Sequence, residues 1–161
     1  MARSAAMYLQ FHEACPRDIF EARRAVELTI VELAAERIDE DGVVMLREAL
    51  AREEHLQESG GHLGSNSLHL LIADLTGNPA LRVFLEVMAR LTPEIKPVEQ
   101  DAVEGRQSAV RHAHGRIVDA IIAKDASLAK HRMLRHLQGI GRYLEAGERV
   151  DRDSGGVPEP G

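Results

Sequence analysis

The sequence predicts an all-α protein, a bundle of helices, and three observations support this fold class. Of the 161 residues, 44% are hydrophobic but only 3% are aromatic, and tryptophan is absent. This composition suits helices packed through Leu, Ile, Val and Ala better than a β-sandwich or barrel. Apolar residues also recur at spacings of three and four along most of the chain. The length is sufficient for one domain with its own core.

Three predicted helices occupy the first half of the chain. Pro16 begins a helix that runs to about Ile38. After the predicted turn "DEDG" (39–42), a second helix ends in "ESGGHLGSN" (58–66), where three glycines indicate a loop. The third helix lies within "SNSLHLLIADLTGN" (65–78). The second helix carries the apolar residues Val44, Leu46 and Leu50, and its pattern can extend to Leu56.

Three further helices are predicted in the second half. Gly77 suits the end of the third helix, and Asn78 with Pro79 suits the cap and first position of the fourth. The fourth helix carries Leu81, Phe84, Leu85, Met88 and Leu91 and stops at "TPEIKP" (92–97). A long helix then runs from about Val98 to Lys124, and Asp125 caps a last helix that ends near Glu145.

This pattern divides the chain into a segment 1–16, a helical bundle 17–146 and a polar, disordered tail 147–161. The formal net charge is −6, and no basic patch is evident, so binding to a nucleic-acid backbone is not expected of this chain alone. Cys15 is the only cysteine and cannot form an internal disulfide. No apolar run resembles a membrane span or a signal peptide, which predicts a cytoplasmic protein.

Three of the eight histidines lie on apolar helical faces. His69 shares a face with Ile72 and Ala73, His114 with Ile117 and Ile121, and His136 with Ala129 and Met133. Each of them alone is compatible with a neutral core histidine whose ring nitrogens are hydrogen-bonded.

The spacing around Asp125 links two of these histidines. His114 and His136 lie at equal distances in sequence from Asp125, so a helical hairpin at that residue would bring both rings to one height, about 16 Å from the turn. Two imidazoles that face each other across a bundle can bind a divalent metal. His69 could supply a third ligand from another helix.

Three segments resemble one known family. "IFEARRAVE" (19–27), "LHLLIADLTGN" (68–78) and "HGRIVDAIIAKDASLAKHRMLRHL" (114–137) are similar to the signature segments of the FadR-type C-terminal effector domain, or FCD domain, of GntR-family bacterial transcription regulators. The resemblance extends over roughly residues 17 to 144. It implies an antiparallel bundle of six to seven helices around a central ligand pocket.

The resemblance also implies a metal site. Many family members hold a divalent metal, commonly zinc or nickel, through an aspartate and three histidines at the floor of the pocket. His69, His114 and His136 match the three histidines, but the aspartate position falls on Ser65. Because a hydroxyl is a weak, neutral ligand, the site is expected to bind metal less tightly than a carboxylate site, unless His62 or Asn66 substitutes. Alternatively, the three histidines bind the effector directly or form hydrogen bonds with each other.

Among the other polar residues, Arg23 matches an arginine that, in the family, can bind the carboxylate of an effector. Its alternative is a surface arginine whose stem covers apolar neighbours. Asn78 is expected to act only as a helix cap. The remaining histidines, His12, His55, His112 and His131, are expected to be exposed.

The resemblance favours a ligand-sensing regulatory domain that binds a small carboxylate effector, forms a homodimer and has no catalytic residues. Such regulators carry a DNA-binding winged helix-turn-helix at the N-terminus, which residues 1–16 are too short to contain, so this segment is interpreted as a linker remnant. One alternative is a small metal-dependent helical hydrolase, which the lack of an inward carboxylate placed as a general base beside the histidines disfavours. A metal-free oligomerisation domain is the other.

Overall fold

The structure, a computed structural model, describes residues 15–58, 66–92 and 100–154. Six helices occupy these ranges: α1 (Pro16–Arg37), α2 (Glu40–Glu58), α3 (Ser67–Leu75), α4 (Pro79–Leu91), α5 (Gln100–Ile122) and α6 (Ala126–Ser154). The predicted all-α class is therefore confirmed. None of these helices is long and apolar enough to cross a membrane.

Helix α1 occupies the centre of the bundle. It packs against α3, α4, α5 and α6, while α2 packs against α3 and α5. The core between them is aliphatic, because buried Leu, Ile, Val and Ala side chains from all six helices fill it. Ile30, Ile72 and Ile121 are each 1% exposed or less, and removing such side chains from water is the main stabilising contribution to a bundle of this kind.

The predicted helix ends at α3 and α4 are confirmed in detail. Gly77 adopts a left-handed φ of 64°, which an L side chain rarely adopts, and it follows α3 as expected. The Asn78 side chain accepts hydrogen bonds from the backbone N–H groups of Ala80 and Leu81, so it caps α4 in front of Pro79.

The start of α2 differs from the prediction. The "DEDG" segment is not a turn between helices, because α2 already begins at Glu40. The reason is Asp39, whose carboxylate accepts a hydrogen bond at 2.8 Å from the backbone N–H of Gly42 and thereby satisfies the first turn of the helix.

The end of α6 also differs. The helix continues through Ser154 instead of ending near Glu145, so the predicted tail 147–161 is helical in its first part. Residues 146–154 include Ala146, Glu148, Arg149 and Arg152, which favour helix, and no proline lies between Pro97 and Pro158. Residues 155–161 lie outside the described residues, as do residues 1–14.

Three of the apolar residues that mark the predicted helices are exposed. Val44 is 54% exposed, Leu56 40% and Phe84 58%. Each lies on a helix with more apolar residues than one buried face can hold, so the neighbours Leu46 and Leu85 occupy the core instead.

Candidate metal centre

The three histidines predicted to face inward meet at one point in the core. His69 on α3 and His114 on α5 are each 2% exposed, and His136 on α6 is 7% exposed. One ring nitrogen of each lies within 4.8 Å of those of the other two. The Nε2 atoms of His69 and His136 are 3.3 Å apart. The structure thus brings together the residues that the sequence predicted as a cluster.

The helical hairpin at Asp125 places His114 opposite His136, as the spacing predicted. Lys124 turns the chain with a φ of 56°, and the Asp125 carboxylate accepts a hydrogen bond at 2.9 Å from the Leu128 backbone N–H. The two ring centroids are consequently 4.8 Å apart, on facing helices.

Glu27 on α1 holds the ring of His69. The Nδ1 atom of His69 contacts Glu27 Oε2, and both side chains are 1% exposed. Because a carboxylate only accepts hydrogen bonds, this contact places the proton on Nδ1 and leaves the Nε2 lone pair directed at the cluster. Arg23 pairs with the other carboxylate oxygen of Glu27 at 2.6 Å and donates to Asn66 Oδ1 at 2.7 Å.

Burial and neighbouring groups act in opposite directions on Glu27. Burial alone would raise the pKa of Glu27, but its close contacts with His69 and Arg23 lower the pKa to about 2. Glu27 is therefore an anion at neutral pH, although it is completely enclosed.

Glu53 on α2 holds the ring of His114 in the same way. Its Oε1 and Oε2 atoms lie 3.1 and 2.9 Å from His114 Nδ1, and Glu53 is 4% exposed. The Nε2 atom of His114 is buried, and none of the described residues forms a hydrogen bond with it. A buried ring nitrogen without a partner is uncommon and requires an explanation.

Two of the three rings are neutral for the same physical reason. Burial lowers the pKa of His114, although the Glu53 hydrogen bond opposes the shift. Burial, together with His69 and His114, lowers the pKa of His136 to about 2. Neutral imidazoles are the form in which histidine binds metals.

Two carboxylates that the sequence analysis did not single out lie beside the histidines. Glu27 and Glu53 are both buried there, and each accepts from a histidine Nδ1 atom. A regular signal in the sequence marks them, because Glu27 lies three residues before Ile30 and Glu53 lies seven after Leu46, in register with buried apolar positions. Their contacts with Nδ1 make them supports for the rings instead of bases facing a substrate.

The other residues that the sequence analysis named differ in burial, and some lie outside the described residues. Arg23 is 4% exposed, so it is not a surface arginine. His55, His112 and His131 are exposed, as expected. The predictions for Ser65, His62 and His12 fall outside the described residues.

Comparison with known proteins agrees with this architecture. The model of the FCD domain family matches residues 18–139. The chain is 30% identical over 149 residues to the Uxu operon transcriptional regulator of Escherichia coli K12, covering 87% of this chain and 58% of that protein. It is 26% identical over 148 residues to the HTH-type transcriptional regulator LutR of Bacillus subtilis 168, covering 88% of this chain and 66% of that protein.

Solved structures show the same fold. Streptococcus agalactiae GntR superimposes with a TM-score of 0.67 at 26% identity, over 79% of this chain and 58% of that one. E. coli McbR/YncC superimposes with a TM-score of 0.66 at 20% identity, over 81% and 68%. The chain spans less than two thirds of the length of both curated relatives, which are transcriptional regulators and not enzymes. By the extent of the family match, the chain belongs to the FCD domains of GntR-family transcriptional regulators.

Proposed function

We propose that this FCD domain senses a small carboxylate effector through a divalent metal bound by His69, His114 and His136. The observation that carries the proposal is the buried, unpartnered Nε2 atom of His114, which lies in a group of three histidine rings. A metal ion would give this nitrogen the partner that the described residues do not provide.

The spacing of the ring nitrogens fits a single ion. Two metal–nitrogen bonds of about 2.1 Å can join atoms up to about 4.2 Å apart. The 3.3 Å between Nε2 of His69 and Nε2 of His136 lies within that span. One ring nitrogen from each histidine lies within 4.8 Å of those of the other two, so a small rotation of a ring suffices for the widest pair.

The donor set favours zinc or nickel over magnesium or calcium. Three neutral imidazoles suit borderline transition metals, whereas the hard cations prefer oxygen ligands. Two carboxylates on the outer ring nitrogens, from Glu27 and Glu53, are a common support for histidines that bind zinc. When bound, the metal would act as a Lewis acid that accepts a carboxylate oxygen of the effector.

Arg23 is the proposed second contact for the effector, at the edge of a central pocket. A guanidinium has five N–H donors, and the hydrogen bonds of Arg23 to Glu27 and Asn66 use two of them. The remaining donors can bind a carboxylate. Because Arg23 lies on α1 and the histidines on α3, α5 and α6, an effector bound to both would bias the packing of four helices.

In the whole protein, this bias would be transmitted to DNA. The relatives are regulators longer than this chain, so we propose that a DNA-binding domain outside the FCD domain reads the change, that the domain forms a homodimer, and that it acts in the cytoplasm. The defining property of such a sensor is that it binds a carboxylate without consuming it.

The first experiment measures metal content by elemental analysis in the wild type, His114→Ala and His112→Ala. His112 lies on the same helix as His114 but is exposed, so it is a matched control. We expect about one equivalent of metal in the wild type and His112→Ala and a loss of most of it in His114→Ala. No metal in a zinc- or nickel-loaded wild type would refute the site.

The second experiment tests the effector by thermal shift with small mono- and dicarboxylic acids, in the presence and absence of zinc. A sensor should be stabilised by an acid that remains intact, and the stabilisation should depend on the metal. Turnover of the acid would instead favour the metal-dependent hydrolase. Stabilisation by none of the acids would contradict the carboxylate-sensing role.

A further inference from the structure

Glu53 differs from the other buried carboxylate in having no cationic partner. Both of its oxygens face Nδ1 of His114, and no lysine or arginine among the described residues forms an ion pair with it. Glu53 is nevertheless only 4% exposed. Burying a carboxylate without a compensating cation is costly, so its retention in the core calls for a further interaction.

Glu27 provides the comparison within the same cluster. Its charge is already matched by Arg23, whose Nε atom lies 2.6 Å from Glu27 Oε1. The pair Arg23 and Glu27 is therefore neutral as a unit. Of the two carboxylates that support the histidines, only Glu53 lacks a Lys or Arg partner among the described residues.

The charge of Glu53 acts through His114. By accepting from Nδ1, Glu53 places the ring proton on the outer side and the lone pair on Nε2, the atom without a hydrogen-bond partner among the described residues. A carboxylate on the far nitrogen also makes the near nitrogen a stronger electron donor toward a cation.

We infer that Glu53 is the positioning residue of the metal centre: through His114 it orients the donor atom and supplies the negative charge that a bound divalent cation compensates. The inference rests on the proposed metal site and adds a residue to it. It also explains why a carboxylate without a Lys or Arg partner among the described residues is retained in the core. The competing interpretation is structural, with Glu53 serving only to tie α2 to α5.

The test compares zinc affinity in Glu53→Gln and wild type by competition with a chromophoric chelator. Glutamine keeps a hydrogen-bond acceptor for His114 but removes the charge. We expect zinc to bind 10- to 100-fold more weakly, as is typical when the outer partner of a histidine ligand is lost. Glu54→Gln is the matched control, because it removes the same charge from the next residue, whose side chain is 64% exposed, and its affinity should stay within about twofold of wild type.

A second readout separates the two interpretations. Without metal, Glu53→Gln should melt at or above the wild-type temperature, since it removes an uncompensated buried charge. A structural tie predicts the reverse, a lower melting temperature with unchanged zinc affinity, and that result would overturn the inference. Glu53→Asp, which keeps the charge but retracts it by one methylene group, should also bind zinc more weakly, and wild-type affinity in this variant would equally overturn it.

The outcomes distinguish this inference from the proposed function. If zinc binds the wild type and Glu53→Gln equally well, the metal site stands and only the role of Glu53 fails. If the wild type binds no zinc, both fail together.

Discussion

Arg23 and Glu27 form an enclosed ion pair whose disruption should destabilise the metal-free protein strongly. The two side chains are 5% and 1% exposed, and the atoms of the pair are 2.6 Å apart. Removing one partner of such a pair costs about 3 to 5 kcal/mol, because the other charge is left buried. Since His69 still donates to Glu27, we expect the lower value, about 3 kcal/mol, for Arg23→Met.

The assay is urea unfolding followed by circular dichroism, with a chelator present so that metal does not contribute. Arg52→Met is the control, because Arg52 forms the same kind of one-turn pair with Glu48, but the two are 64% and 62% exposed. Such an exposed pair contributes well under about 1 kcal/mol. The added change Glu27→Gln should recover part of the loss, since it removes the orphaned charge.

The result that would refute this reasoning is a small effect. If Arg23→Met changes the free energy of unfolding by less than about 0.5 kcal/mol, as surface substitutions do, then Arg23 does not form the buried ion pair with Glu27 in solution.

Two further predictions concern the fold. Gly77→Ala should destabilise the protein by about 1 kcal/mol, because its φ of 64° strains an L residue even though nothing lies within 4 Å of the added Cβ. Gly115→Ala lies inside a helix and is equally free of clashes, so it should stabilise the protein by about 0.5 to 1 kcal/mol. Thermal unfolding of the pair checks the sign, and equal shifts would contradict the assigned backbone conformations. Ile72→Ala should cost about 2 to 5 kcal/mol, since Ile72 is fully buried, whereas Val44→Ala, at an exposed position, should stay near zero in urea unfolding; similar losses would show that the burial pattern is wrong.

The caps at Asn78 and Asp125 and the pairing of His114 with His136 could be predicted because they depend on local rules. Asn78 and Asp125 are followed by the residues that a cap serves, and the equal spacing of His114 and His136 about Asp125 needs only the rise of a helix. The two caps and this pairing do not depend on how the other helices are arranged.

The roles of Glu27 and Glu53 could not be predicted in this way, because they depend on how the helices pack against one another. Glu27 lies in register with buried residues of α1, but only the position of α3 shows that it meets His69. Phe84 illustrates the same limit for an apolar residue. Its apolar character predicts a helix face, but it does not reveal that Phe84 is left exposed. Burial of one face among several is a tertiary property.

The side chains that meet at the histidine cluster are remote from one another along the chain. His69 and His136 are separated by 67 positions, Glu53 and His114 by 61, and Glu27 and His69 by 42. An ion held by the three rings would therefore close long loops, as a disulfide does, and would lower the conformational entropy of the unfolded chain if it stayed bound there. Metal loading would in that case act as a reversible cross-link between distant parts of the polypeptide, so its removal should loosen α3, α5 and α6 together.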